Sequence, residues 1–174
     1  MSDSFLHQLR LDQIRDGERL DLTAGEPERR TIADRLRILN LNRLDAHVVL
    51  SRTGDTVRAK GRLVAALDQG CVVTGEPVSA HVDEPFDLMF IREPEANPDE
   101  EIELGEKDCD VVFHDGSSID LGAAIADTLA LCLDPYPRSA GAEAALKEAG
   151  VMTEEQASPF AALAQLKFGD DNQT

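Results

Sequence analysis

Cysteine and histidine are the residue types that most readily do metal or redox chemistry, and this chain has three cysteines and four histidines. Cys71, Cys109 and Cys132 are widely spaced and form no CxxC pair. His7, His47, His81 and His114 fall in four separate segments, with no pair at i,i+4. A structural zinc would have to draw its four ligands entirely from long-range contacts. An odd, scattered set of cysteines is expected as reduced thiols in cytoplasm, not as a disulfide framework. Cys71 lies in a turn where a reactive thiol could sit. Nothing near it in sequence would depress its pKa, and Glu76 would oppose the thiolate, so a small residue at a tight strand corner is the favoured reading. GxSxG, HExxH, GxxxxGK[ST] and GxGxxG are all missing. Glu100, Glu101 and Glu103 lack the Asp/Asn/Gly spacing of a calcium loop. No catalytic residue, metal or cofactor is therefore expected, and the protein is not read as an enzyme.

Charge is the other source of chemistry. The 174 residues carry a formal net charge of −17. Its distribution is bipolar: residues 1–70 hold 12 Lys+Arg and 11 Asp+Glu, whereas residues 71–174 hold 5 and 23. Within 29–62 there are nine basic and three acidic side chains. Arg58, Lys60 and Arg62 alternate along one run, with Arg52 nearby and Arg29, Arg30 and Arg37 on a preceding helix. These seven form the one patch expected to meet a polyanion or acidic partner. Two plainer readings stand beside it: a solvated face balanced by the acidic half, or a face on which the acidic loop docks. The patch exists only if the structure gathers these cations on one surface and leaves them unneutralised. With six Phe, one Tyr and no Trp, nucleic-acid binding by aromatic stacking is disfavoured. No stretch approaches the roughly 20 apolar residues of a membrane span. Met1-Ser2-Asp3-Ser4 does not resemble a secretory signal.

The elements that must position these residues follow from periodicity. Phe5–Ile14 alternates as a strand, Arg19–Thr23 as a second. Gly25-Glu26-Pro27 opens a helix with Ile32, Ala33, Leu36 and Leu39 on its apolar face and an Arg30–Asp34 pair at i,i+4. Leu44–Arg52 and Val57–Leu67 alternate around Thr53-Gly54-Asp55-Thr56, the clearest hairpin. A two-residue Gly54-Asp55 loop sets Ser51 opposite Arg58, Val49 opposite Lys60 and His47 opposite Arg62. It leaves Val48, Leu50, Val57, Ala59, Gly61 and Leu63 on the core face. Residues 70–77 make a corner. Val78 to Val82 and Phe86 to Phe90 alternate, separated by Pro85, which suits an edge or a bulge. Residues 93–110, with nine acids and one lysine, read as an exposed acidic loop. Val111–Phe113 is a short strand. Asp120 is the N-cap of a helix to about Leu133, whose apolar positions nearly encircle it, making it the central core helix. Ala140–Ala149 is a weaker helix, and Ser158-Pro159 opens a last short one carrying Phe160, Leu163 and Leu166.

Three ordered motifs carry a family resemblance. They are Gly70-Cys71-Val72-Val73-Thr74-Gly75-Glu76-Pro77-Val78, then Ile119-Asp120-Leu121-Gly122 leading into Leu129 to Arg138, and finally Ser158 to Lys167. With the acidic loop after the first, the chain resembles the YceD family, in its alphaproteobacterial form. The resemblance implies a non-enzymatic role in accumulation of large-subunit (23S) ribosomal RNA. Many relatives carry a second cysteine three residues after the first; Thr74 stands there instead, which removes a metal or redox reading. The motif residues Cys71, Glu76, Pro77, Asp120, Leu121, Gly122 and Pro135 are expected to be structural, as corner, N-cap and helix stop.

The expected fold is α+β: a mostly antiparallel twisted sheet or partial barrel packed on the 120–133 helix, with small flanking helices. Residues 1–150 are read as one domain, and 151–174 as a short helix with a frayed tail. The expected function is a cytoplasmic ribosome-biogenesis factor. Its basic surface and acidic loop would engage ribosomal RNA, a pre-ribosomal particle, or a ribosomal protein or ribonuclease. The alternative is an acidic adaptor that binds a basic ribosomal protein or ribonuclease without touching RNA.

Overall fold

Alternating apolar and polar residues over long stretches make long strands, and three of them dominate the chain. A computed structural model describes Phe5, residues 8–93 and residues 110–151. Strands β2 (Glu18–Thr23), β3 (Asn40–Thr53), β4 (Thr56–Gly70), β5 (Pro77–Arg92) and β6 (Asp110–His114) form one open sheet in the order β2-β3-β4-β5-β6. All neighbours are antiparallel except β5 and β6, which run parallel. A parallel pair needs a connection of a dozen or more residues, because the chain must return to the starting end of the sheet. The acidic stretch supplies that length; residues 94–109 lie outside the described residues, while Asp110 already belongs to β6. A second, two-stranded sheet pairs β1 (Leu9–Arg10) with β7 (Ser118–Ile119). The helices are α1 (Glu26–Leu36), α2 (Leu121–Leu131) and α3 (Ala142–Glu148). The fold is α+β, and the main sheet does not close into a barrel.

The β3–β4 hairpin has the register its sequence dictates: His47 faces Arg62, Val49 faces Lys60 and Ser51 faces Arg58. Gly54 turns the chain at φ +62°, where a side chain would be strained. Val48, Leu50, Val57, Ala59 and Leu63 are all buried. Phe86, Leu88 and Phe90 continue that apolar face onto β5. Pro85 does not break β5, which runs through it unbroken. β6 pairs with residues 88–92, so among the described residues β5 has no neighbour on that side at Pro85, and the missing N–H is tolerated there.

Both long helices cover this apolar face. α1 packs on β3 through Ile32 and Ala33, and α2 packs on β4 and β5 through Leu121, Ile125 and Leu129. Arg35 and Asp127 join the two helices by a 2.6 Å ion pair. Asp120 Oδ1 accepts the Ala123 N–H at 2.9 Å and so caps α2.

Four local expectations are corrected. Phe5–Ile14 is not one strand: among its described residues only Leu9 and Arg10 pair, and Leu11–Gln13 form a 3₁₀ turn, because β7 offers just two residues to pair with. Leu39 is outside α1, which ends when Arg37 adopts the left-handed conformation (φ 55°). Arg30 pairs with Glu26, one turn back, and not with Asp34. α2 is not apolar on all sides in use: Leu131 is 80% exposed and Cys132 is exposed as well. The last predicted helix, from Ser158, lies outside the described residues.

Candidate interaction surface

Strand alternation sends Arg58, Lys60 and Arg62 to the face of the sheet away from the helices. The register then decides what meets them there. Strand β5 brings Asp87 opposite Lys60, and Asp83 further along the same face. Arg58 forks onto Asp87 with hydrogen bonds of 2.7 and 2.6 Å, Lys60 approaches the same carboxylate at 3.3 Å, and Arg62 pairs with Asp83. The Arg58 hydrogen bonds hold the Asp87 carboxyl below the usual carboxylate range, and Arg62 does the same for Asp83. On the other side of the stripe His47 meets Asp21 of β2. The outer face is thus a cross-strand charge ladder, not a row of unneutralised cations. A phosphate arriving at Arg58 would have to displace a bidentate carboxylate and then sit beside it.

The other four predicted cations are elsewhere. Arg52 has the parity of the core face and reaches over the hairpin end, donating to the Gly54 carbonyl at 2.9 Å and to the Leu11 carbonyl. It ties the 3₁₀ turn to the sheet. Arg29 donates to the Ala24 carbonyl at 2.8 Å, at the start of α1. Arg30 pairs with Glu26, and Arg37 is exposed at the helix end. Since α1 covers the core face, these residues are separated from Arg58, Lys60 and Arg62 by the sheet itself. The expected single basic surface is therefore not assembled. The acidic loop expected to shield it, but for its ends, lies outside the described residues.

The corner that carries the first motif is a different arrangement. Cys71 is buried, and its Sγ accepts the N–H of Ser139 at 3.3 Å and of Thr74 at 3.5 Å. Glu76 Oε2 accepts hydroxyl hydrogen bonds from Ser139 at 2.9 Å and Thr74 at 3.1 Å. The Cys71 N–H donates to the Glu76 carbonyl at 2.8 Å, and the Val72 N–H to the Pro137 carbonyl at 2.9 Å. Pro77 starts β5, where its missing N–H costs nothing in the turn. Leu121 and Gly122 are buried in the first turn of α2. Pro135 follows the end of α2, in a segment turned by Asp134 Oδ1 accepting the Tyr136 N–H at 2.9 Å. This corner fastens the segment after α2 to the β4–β5 connection.

The corner corrects the expectation for the thiol. Hydrogen bonding from Thr74, then from the Ser139 backbone, lowers the Cys71 pKa from 9.0 to about 6. Thr74 is close in sequence, but nothing marks Ser139 as a donor from 68 residues away. A thiol whose folded pKa lies below its unfolded value adds stability above the unfolded pKa and loses it as pH falls through the folded one. Wild type should therefore gain stability relative to Cys71→Ser between pH 6 and pH 9. Difference absorbance at about 240 nm, wild type minus variant, should show thiolate appearing near pH 6. A midpoint remaining near pH 9 would show that the two donors do not act on the sulfur.

Histidines are placed individually. His114 is buried, with Nε2 2.7 Å from the Asp55 carbonyl and Nδ1 accepting the Gly116 N–H at 2.9 Å, which assigns the Nε2–H tautomer. His81 is exposed on β5, and His7 and Cys109 lie outside the described residues. Among the described residues no three His, Cys, Asp or Glu side chains gather as a metal ion would require. No helix among them is long and apolar enough to cross a membrane.

An open, mostly antiparallel sheet with an ion-paired outer face and two helices on its inner face defines an α+β scaffold carrying a hydrogen-bonded cysteine corner. A protein-family model matches residues 59–167, from β4 past α3, and its description is large ribosomal RNA subunit accumulation protein YceD. The chain belongs to the YceD family. No curated protein and no solved structure matches it.

Proposed function

We propose that this protein serves accumulation of the large-subunit ribosomal RNA without catalysing a reaction, as a cytoplasmic acidic adaptor that binds a basic protein partner. A ribosomal protein or a ribonuclease has the required chemistry. The family supports the ribosomal setting. The observation that favours an adaptor over a phosphate-gripping surface is the pairing of Arg58 and Lys60 with Asp87 and of Arg62 with Asp83. With these three cations engaged and a net charge of −17, the molecule repels a phosphate backbone and attracts basic proteins.

The decisive variant removes the three positive charges together, as Arg58→Gln, Lys60→Gln and Arg62→Gln. Its circular dichroism should match wild type. Its co-sedimentation with pre-ribosomal particles from growing cells should stay within about twofold, since these cations contribute no phosphate contacts in this reading. A tenfold or greater loss by the folded variant would overturn the adaptor reading in favour of direct RNA contact through the basic stripe.

A further inference from the structure

The outer face of the main sheet is charged over most of its width and turns apolar at one corner. There Met89 and Ile91 of β5 pair with Val111 and Phe113 of β6, and alternation sends all four side chains outward. Three are half-buried by their neighbours, while Phe113 is 52% exposed. β6 is also the last strand of the sheet, with no strand beyond it among the described residues. Exposed edge strands are ordinarily blunted by lysine, proline or a bulge. β6, Asp110-Val111-Val112-Phe113-His114, has none of these. An apolar patch with a phenylalanine at its rim, beside an edge strand free of lysine, proline and bulge, is the form of a site for strand addition, in which main-chain hydrogen bonds give affinity and alternate side chains give selectivity.

The charges around the patch select the occupant. Glu93 continues the outward row of β5, and its N–H donates to the His114 carbonyl at 2.9 Å. Asp115 follows β6, its carboxylate accepting hydrogen bonds from Ser117 and Ser118. Both are exposed. The cations at this end of the sheet are engaged: Arg58, on this face, by Asp87, and Arg92, of the opposite parity, by Asp55 at 3.7 Å. A second copy of the chain would bring its own −17 charge and its own Glu93 and Asp115 to the contact. A segment alternating basic and apolar residues fits both the hydrocarbon patch and the acids that frame it.

We infer that a basic, extended protein segment docks here as an added strand along β6, with an apolar side chain on Phe113. This inference rests on the adaptor reading and locates its contact surface. The probes are three labelled octapeptides, alternating lysine with valine, lysine with serine, and glutamate with valine, together with a single-stranded RNA dodecamer. The lysine–valine peptide should bind the full chain, with amide shifts centred on 110–114 and 88–92. Replacing valine by serine in the peptide, or Phe113→Ser in the protein, should each weaken binding about tenfold, and Phe113→Leu should recover most of it. Phe113 lies on the outer face, so both variants should melt with wild type. Equal binding of the two lysine peptides, unaffected by Phe113→Ser, would overturn this site and leave adhesion by charge alone. If neither lysine peptide binds, the adaptor reading falls with it. Phe113-dependent binding of the RNA or of the glutamate–valine peptide, or self-association abolished by Phe113→Ser, would give the face to a different occupant and overturn the inference.

Discussion

Replacing Gly61 by alanine is expected to destabilise the protein by about 3 kcal/mol, although alanine ordinarily improves a strand over glycine. Gly61 is on the core face of β4, between Val48 of β3 and Phe86 of β5. A Cβ there would run into the backbone carbonyl of His47 and would stand 2.8 Å from Phe86 Cζ. The ring is the end of a buried side chain and the carbonyl belongs to the neighbouring strand, so neither yields cheaply. For a chain of this length the loss amounts to a drop of about 10 °C in Tm. Denaturant unfolding should show a lower midpoint with an unchanged slope. Adding Phe86→Leu to Gly61→Ala should recover only part of the loss, because it relieves the ring and leaves the carbonyl clash. A Gly61→Ala variant as stable as wild type would mean that the β3–β4 spacing at this point is not as described.

The second large effect is expected at α2. Ile125 is fully buried against the sheet, and Ile125→Ala should cost about 4 kcal/mol, combining lost burial with the cavity left behind. Leu131→Ala, on the same helix, should stay within about 0.5 kcal/mol, because its side chain is 80% exposed. The contrast separates two descriptions of the helix. A helix buried on all sides would lose heavily at both positions. Equal losses would overturn the packing of α2 by a single face. Paired melts, with far-ultraviolet circular dichroism as the control for folding, decide between them.

Legibility in the sequence was uneven, and for identifiable reasons. The β3–β4 register was readable because a two-residue turn at Gly54-Asp55 leaves a single pairing that keeps Val48, Leu50, Val57 and Ala59 on one face. The N-cap of α2 was readable because an Asp three residues before a helical N–H is a local interaction. The Phe5–Ile14 expectation failed because strand alternation reports only that a face is apolar, not that a partner strand exists along its length. Likewise, the apolar positions around α2 marked a buried helix but not which of its sides the sheet would reach.

The family and the hairpin with its alternating cations followed from the amino-acid order alone, since both depend on neighbours in the chain. What those cations do was decided by the tertiary structure. Asp83 and Asp87 are 21 and 29 residues from Arg62 and Arg58, and only the β4–β5 register brings them into contact. The same is true of Ser139 at Cys71 and of Phe113 at the sheet edge. Charge and hydrophobicity are properties of a residue, whereas neutralisation and exposure are properties of what folds against it.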